Sequence, residues 1–299
     1  MSRGHETDTA DAGTTVPRSV MGYDVIDRIG EGAGSVLYAV NHPQTAQLYA
    51  LKHVQPNTDR DQRFVEQLET EYEVGQLVHH PGLRRSIEMK SSRTFFRKVT
   101  EAVLVLELFD GTSLEQLAPR NIPEIVNIFI HTAEALDALH ALGYVHCDLK
   151  PNNILVGPED TVKVIDLGQA CRKGVAKSRI QGTPDYIAPE QVKCQAVSVA
   201  TDIYNFGATI YWVLCGKHFP TLFTLDRSEN SFLLDQNIPT PAELNPLVPE
   251  QLSNLVMECV RTNPTKRPQG MRDIILRLEI FLHLLKKNCS ASGMQPALI

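Results

Sequence analysis

The feature that most restricts how this chain can fold is a change of pattern near residues 108–111. Before it, short apolar and β-branched runs recur at 34–40, 48–53 and 102–108 and read as strands. One stretch breaks that rhythm. Over 63–78, Phe64, Leu68, Glu71, Gly75 and Val78 follow i, i+4, i+7, i+11 and i+14 spacing and share one helix face. Beyond Gly111 the periodicity turns helical. Pro123 suits the first residue of a helix running through Leu142, because a missing N–H costs nothing there. Further amphipathic segments fall at 203–215, 249–261 and 271–285. A run of strands followed by a run of helices implies an α+β architecture, a small mostly-β half ahead of a larger mostly-α half.

Composition adds bounds. The 299 residues, 42% of them hydrophobic, suffice for two domains or one two-lobed domain. Residues 1–20 are polar, small and aperiodic and are expected to be a disordered leader. A net charge of −6 gives no reason to expect a nucleic-acid partner. No apolar run approaches the ~18 residues of a membrane helix; the longest candidate, 274–285, is interrupted by Arg277, Glu279 and His283. Six cysteines (Cys147, Cys171, Cys194, Cys215, Cys259 and Cys289) lack CxxC or metal-ligand spacing. Without a signal peptide at the start they read as free thiols in a reducing compartment, so a cytoplasmic location and no membrane partner are expected.

Three groups of residues carry chemistry. Ile29, Gly30, Glu31, Gly32, Ala33, Gly34 and Ser35 form a glycine-rich turn between strands, able to bring backbone N–H groups close to phosphate. A plain hairpin is the commoner meaning of such a turn. Lys52 ends the next apolar run, and Glu71 is the only charge on the apolar stripe of the 63–78 helix. A carboxylate on a buried face needs a cation, and Lys52 is the natural candidate. Glu73 projects to the polar side. The third group is Asp148, Lys150 and Asn153, followed by the strand that ends in Asp166. Two acids, an amide and a lysine at strand ends suit a site that binds Mg²⁺ through oxygen and orients a hydroxyl. Singly, each could be a turn or capping residue.

In this order, these residues resemble the protein kinase family, close to the eukaryotic-like serine/threonine kinases of bacteria. The resemblance spans about residues 23–285 and implies a two-lobed α+β fold. A small antiparallel sheet lobe with one key helix (21–108) joins a helical lobe (111–285) through a hinge at 107–111, and 286–299 remain as a tail. It implies ATP and Mg²⁺ as cofactors, with Mn²⁺ as an alternative, and a protein substrate with a serine or threonine acceptor. Gly30, Gly32 and Ser35 would cover the phosphates, while Leu37, Ala50 and Leu155 would sandwich the adenine. The backbones of Glu107 and Phe109 would meet the adenine edge, with Leu106 in the gatekeeper position. Lys52, paired with Glu71, would hold the α- and β-phosphates. Asp148 would orient the acceptor hydroxyl, Lys150 would neutralise γ-phosphate charge, and Asn153 and Asp166 would hold the metal. Thr183, Asp202 and the pair Glu190 and Arg267 would be structural.

Four positions depart from the family pattern. Ser35 replaces the third glycine of the phosphate loop, and being small it is expected to be tolerated. Cys147 stands where many kinases carry an arginine that pairs with an activation-loop phosphate, so Ser178 and Thr183 are expected to matter little as phosphosites. Leu167 replaces the commoner phenylalanine between Asp166 and Gly168. Gly75 replaces a large apolar residue expected to pack on Leu167, leaving a gap and a loosely held helix. Cys147 and Gly75 are the best evidence for a rival reading as a pseudokinase or nucleotide-binding scaffold. The intact set Lys52, Glu71, Asp148, Asn153 and Asp166 speaks for the enzyme. A small-molecule kinase is disfavoured by Thr183 and the segment Ala188, Pro189, Glu190. Two features name no partner: the basic stretch 84–98, expected to be a solvated hairpin, and a second apolar stripe of the last helix (Leu276, Ile280, Leu284), available to a regulatory partner or a second copy.

Overall fold

A computed structural model describes residues 16–292 apart from 33, 96–97, 118–119 and 226–237, with side chains through residue 287. Six strands form one antiparallel sheet in the order β1, β2, β3, β4, β6, β5. These are β1 (Ser19–Val20), β2 (Tyr23–Gly32), β3 (Ser35–Asn41), β4 (Leu48–Val54), β5 (Ser86–Arg93) and β6 (Val99–Glu107). Helix α1 (Gln62–Leu77) lies on one face.

The two-residue period of β6 explains its central place. Ala102, Leu104 and Leu106 share one face with Ala50 and Val54 of β4 and pack with Val65 and Leu68 of α1. Val103 and Val105 point the other way, onto Leu51, Tyr38 and Val40. Alternate residues of a strand face opposite sides, so Lys52 emerges on the α1 side with Ala50 and Val54. That alternation delivers the lysine to the site.

The second half is helical. Asn121 caps α2 (Ile122–Ala141), its Oδ1 accepting the Glu124 N–H at 3.0 Å, and Pro123 is the second helical residue rather than the first. Helix α2 is buried on nearly every side and packs against α7 (Met271–Ser292). Between them come the short helix α3 (Pro189–Val192), then α4 (Val199–Cys215), α5 (Pro241–Leu244) and α6 (Glu250–Cys259). Ser198 caps α4 at its start, and Gly216 ends it in the left-handed region with φ 64°. Two small ladders sit where the sheet meets the helices. One joins β7 (Thr112–Ser113), β9 (Ile154–Val156) and β10 (Val162–Val164); the other pairs β8 (Tyr144–Val145) with β11 (Cys171–Arg172). The α+β order of strands then helices is as expected, and no described helix is long and apolar enough to cross a membrane.

Several expectations need correction. The leader is not irregular up to residue 20: Ser19 and Val20 pair with Asp24 and Tyr23, and Val20 is buried, because an apolar side chain next to a sheet edge gains by joining it. The rest of that expectation, 1–15, lies outside the described residues. Helix α7 continues past 285 to Ser292. Its main stripe is buried at Ile274, Leu278, Phe281 and Leu282, while Leu276, Ile280 and Leu284 are exposed. The basic stretch is not wholly solvated either, for Arg84 is buried against α1. Nor does Gly75 leave a gap. A Cβ there would meet the Ser86 Oγ at 2.2 Å, so the serine of β5 occupies the space a side chain would fill.

Candidate active site

On the sheet side, Lys52 Nζ lies 2.8 Å from Glu71 Oε2 and 3.0 Å from Asp166 Oδ1. Glu71 is 2% exposed, whereas Glu73 is exposed, as the apolar-stripe argument requires. The other Glu71 oxygen is 3.3 Å from Arg84 Nη2, so the buried carboxylate has two cations rather than one. Burial works against charge on Lys52, yet Asp166 and Glu71 hold its ammonium above the usual lysine range. Helix α1 is fixed here by more than charge. Ser86 Oγ donates to the Glu71 carbonyl at 2.9 Å, and the Gln76 amide donates to the Ser86 carbonyl. This anchorage answers the expectation of a loosely held helix: removal of the Gly75 side chain is what lets β5 approach.

The glycine turn between β2 and β3 rests on the same helix. Gly34 has φ 78°, and a Cβ at that position would fall 2.3 Å from the Phe64 ring. Only glycine meets both demands, a left-handed backbone and a ring pressed against it.

On the helical side a buried hub sets the loop that carries Asp148. Asp202, fully buried on α4, accepts the N–H of His146 and that of Cys147, each at 2.8 Å, and lies 2.7 Å from His140 Nε2. Burial alone would raise this carboxyl, but the His140 contact and the backbone donors hold it below the usual carboxylate range. Cys147 takes a positive φ of 67°, and the Gln191 amide donates to its carbonyl at 2.7 Å. Asp148 follows, 5% exposed, its Oδ1 accepting the Thr183 hydroxyl at 2.8 Å. Lys150 Nζ donates to that same Thr183 oxygen at 2.9 Å and lies 3.4 Å from Asp148 Oδ2. Burial pushes the Asp148 carboxyl up from the ordinary range, with Lys150 opposing and Asp166 adding to the rise. Arg267 forks onto Glu190 at 2.8 and 3.0 Å, joined there by the Thr201 hydroxyl.

Both sides open on one cavity of about 590 Å³. Gly30, Glu31, Gly32, Ser35, Leu37, Lys52, Asp148, Lys150, Asn153 and Asp166 line it together. Glu71 stands behind Lys52, and Gly34 over Phe64. Ala50, Glu107, Phe109 and Leu155 are not among its lining residues, nor is Ile29, which is exposed, and Ala33 lies outside the described residues. Ala50 sits in the β4–β6 ladder opposite Leu106. Glu107 ends β6, its N–H donating to the Arg85 carbonyl and its carboxylate 2.8 Å from Lys163 Nζ. The Phe109 ring packs against the backbones of Gly111 and Gly157.

The donor set fits a hard divalent cation. Asn153 spends its amide N–H on the Asp148 carbonyl at 2.8 Å, which leaves its side-chain oxygen as the available donor group. Asp166 reaches the same cavity with φ 63°; burial would raise its carboxyl, but Lys52 holds it well below the usual carboxylate range, so it stays ionised. Mg²⁺ favours few protein oxygens and completes its shell with phosphate and water. Among the described residues no cluster of three His, Cys, Asp or Glu side chains offers a competing metal site.

Sequence reasoning missed Arg84 and Ser86 as partners of Glu71, and Phe64 as the ring beneath Gly34. Only Gly75, a missing side chain in a buried stripe, pointed toward a neighbour that would fill it.

The chain belongs to the protein kinase family: the protein kinase domain matches residues 23–276. It is 30% identical over 244 residues to the serine/threonine-protein kinase PknA of Mycobacterium tuberculosis, covering 79% of this chain and 55% of that one. It is 27% identical over 264 residues to the DNA damage-responsive serine/threonine-protein kinase RqkA of Deinococcus radiodurans, with 83% and 38% covered. A probable serine/threonine-protein kinase of Clostridium acetobutylicum is 26% identical over 261 residues, with 85% and 39% covered. The matched part is thus about two-fifths to a little over half of these relatives' length. Among solved structures, the PknI kinase domain of Mycobacterium tuberculosis superposes with a TM-score of 0.68 at 22% identity, covering 89% of this chain and 98% of that one, which shows the two-lobed kinase fold.

Proposed function

We propose that this chain transfers the γ-phosphoryl group of ATP to a serine or threonine hydroxyl of a protein. One observation carries the reading: Lys52, tied to Glu71 and Asp166, and Asp148, tied to Thr183 and Lys150, face the same cavity. A cation held in place for phosphate thereby meets a carboxylate held in place for a hydroxyl.

Lys52 binds the α- and β-phosphate oxygens, and Glu71 keeps its ammonium charged and aimed. Gly30, Gly32 and Ser35 cover the phosphates. Leu37, Ala50 and Leu155 take the adenine faces, and the backbones of Glu107 and Phe109 its edge. Asn153 and Asp166 would hold Mg²⁺, or Mn²⁺ in its place, and the metal would neutralise charge building on the phosphate oxygens. Thr183 occupies Oδ1 of Asp148, and Oδ2, with Lys150 Nζ 3.4 Å away, accepts the acceptor hydroxyl. An aspartate is too weak a base to ionise a free alcohol, so it orients the hydroxyl and takes the proton late in the transfer. Lys150 offsets γ-phosphate charge. The names of the relatives, all serine/threonine kinases, agree with this acceptor class. The domain limits 21–108 and 111–285 and a cytoplasmic setting belong to the same proposal.

Incubation with labelled ATP, Mg²⁺ and a generic acceptor protein tests it. Wild type should label serine or threonine, and Asp148→Ala should not, while ATP binding by calorimetry persists. Wild-type protein that binds ATP but labels nothing would sink the enzymatic reading in favour of a scaffold.

A further inference from the structure

Two thiols touch where the loop bearing Asp148 meets the segment that follows Asp166. Cys147 is wholly buried, Cys171 opens β11, and their sulfurs are 3.8 Å apart. We propose that Cys147 and Cys171 are a peroxide-responsive dithiol whose disulfide clamps the activation segment to the catalytic loop.

The two partners differ in the freedom they have to move. Both backbone polar groups of Cys147 are engaged, its N–H by Asp202 and its carbonyl by Gln191, and its thiol also points toward the Val145 carbonyl at 3.6 Å. Cys171 belongs to a two-residue strand paired with β8 and packed on Val145 and Val197, and Gly174 with φ 84° follows shortly after. A disulfide needs sulfurs about 2.05 Å apart, so closure asks for a shift of under ~2 Å, which the short strand can supply.

The partners differ in chemistry as well. The hydrogen bond between the thiols lowers Cys171 to about 7; burial opposes this, Lys177 helps and Asp202 resists. The same hydrogen bond, with burial and Asp202, keeps Cys147 protonated. Lys177 is held nearby by the Gln169 carbonyl at 2.5 Å. Partly exposed Cys171 is therefore the attacking thiolate. It displaces hydroxide from hydrogen peroxide, giving a sulfenic acid, and the hydroxide takes up a proton to become water. Cys147 then gives its proton to the departing sulfenic oxygen, and its sulfur closes the S–S bond with release of a second water. Two thiols are oxidised by two electrons and one peroxide is reduced to two waters. A thiol reductant reverses the change.

The proposal does not depend on phosphoryl transfer, so its test reads mass and proteolysis. The full chain at low concentration is treated with stoichiometric hydrogen peroxide, alkylated and digested without reductant. The expected result is a monomer lighter by two hydrogens and a linked peptide pair containing Cys147 and Cys171. That pair should be absent from Cys171→Ser and from Cys147→Ser and retained in Cys194→Ser. Cleavage by trypsin after Lys173 and Lys177 should slow on the order of tenfold on oxidation and recover with dithiothreitol, because the segment opens less often. Linkage through other cysteines, sulfinic acid at Cys171 without a cross-link, or cleavage rates indifferent to oxidation would overturn the proposal.

Discussion

Asp166 and Asp148 border one cavity, yet their surroundings push them in opposite directions. Asp166 meets the sheet half: Lys52 from β4 lies 3.0 Å away and keeps its carboxyl low against the effect of burial. Asp148 belongs to the helical half, where burial raises its carboxyl and Lys150 only partly offsets the rise. Carboxylates separated in this way divide the labour of a site, one staying charged as an electrostatic anchor while the other stands nearer to taking a proton. The regions differ in how they hold their charges. On the sheet side, long side chains from β4, α1 and the connection between α1 and β5 are tied to one another, Lys52 and Arg84 converging on Glu71. On the helical side, backbone N–H groups of the loop are tied to the buried Asp202. The first arrangement rests on charges at the ends of flexible side chains; the second rests on backbone groups tied to one buried carboxylate.

The largest effect that can break this division is on transfer itself. Asp148→Asn keeps the shape and an acceptor for Thr183 but cannot take a proton, and should lower kcat by on the order of 10³-fold with ATP affinity nearly unchanged. Steady-state kinetics beside nucleotide calorimetry measures both. Equal losses in binding and rate would mean that Asp148 serves the nucleotide and that the two sides are not separate.

Next comes the hub. Asp202→Ala leaves the N–H groups of His146 and Cys147 without their acceptor in a place closed to water. Each unmet donor costs about 1–3 kcal/mol, so a loss of roughly 3 kcal/mol or more in urea-unfolding stability is expected. Stability within about 0.5 kcal/mol of wild type would show that the loop finds other partners.

Lys52 and Glu71 are legible in the sequence because both follow from local periodicity: alternation in β4 and a single charge on the α1 stripe. The order of Asp148, Asn153 and Asp166 was legible as a sequence of motifs. Arg84 was not. Whether a residue beside a strand faces in or out depends on what packs there, and Arg84 is carried inward by contacts of high sequence separation, its N–H donating to the Val164 carbonyl and Leu83 bridging to Val164. Gly75 was read as a defect because the serine that fills its space comes from another element. The proposed adenine end is the least legible part. Glu107 and Phe109 were assigned through their backbones, which side-chain patterns do not report, and their side chains are engaged with Lys163 and with the glycines of the neighbouring turns.

Gly75 also gives the third prediction, which sharpens the account of the sheet side. Gly75→Ala sets a methyl 2.2 Å from the Ser86 Oγ and 3.0 Å from the Ser86 backbone nitrogen. Overpacking of this kind costs about 1–3 kcal/mol, which exceeds the ~1 kcal/mol that alanine gains in helix propensity. Thermal unfolding should show a net loss, and Ser86→Gly in the same chain should recover part of it. A stabilised single variant would mean that α1 is free to slide on β5 after all.

The smallest effect bears directly on the two carboxylates. The folded state raises the Asp148 carboxyl above its ordinary value of 3.8, so between those points the folded chain holds a proton that the unfolded chain has released. Stability therefore falls as pH rises through that window, and the cost persists at neutral pH. Asp148→Asn removes the charge and should raise the melting temperature at pH 7, while activity is lost. As pH drops below the ordinary carboxylate range, Asp148 becomes neutral in both states and the advantage of asparagine should vanish. Asp166 has the opposite sign: its carboxyl is held low, so its contribution is present above the ordinary carboxylate range and is lost as pH falls. Asp166→Asn should accordingly destabilise at pH 7. If both asparagine variants shift the melting temperature in the same direction, the two sides of the cavity do not treat charge differently, and the assignment of an anchor and a proton acceptor fails with it.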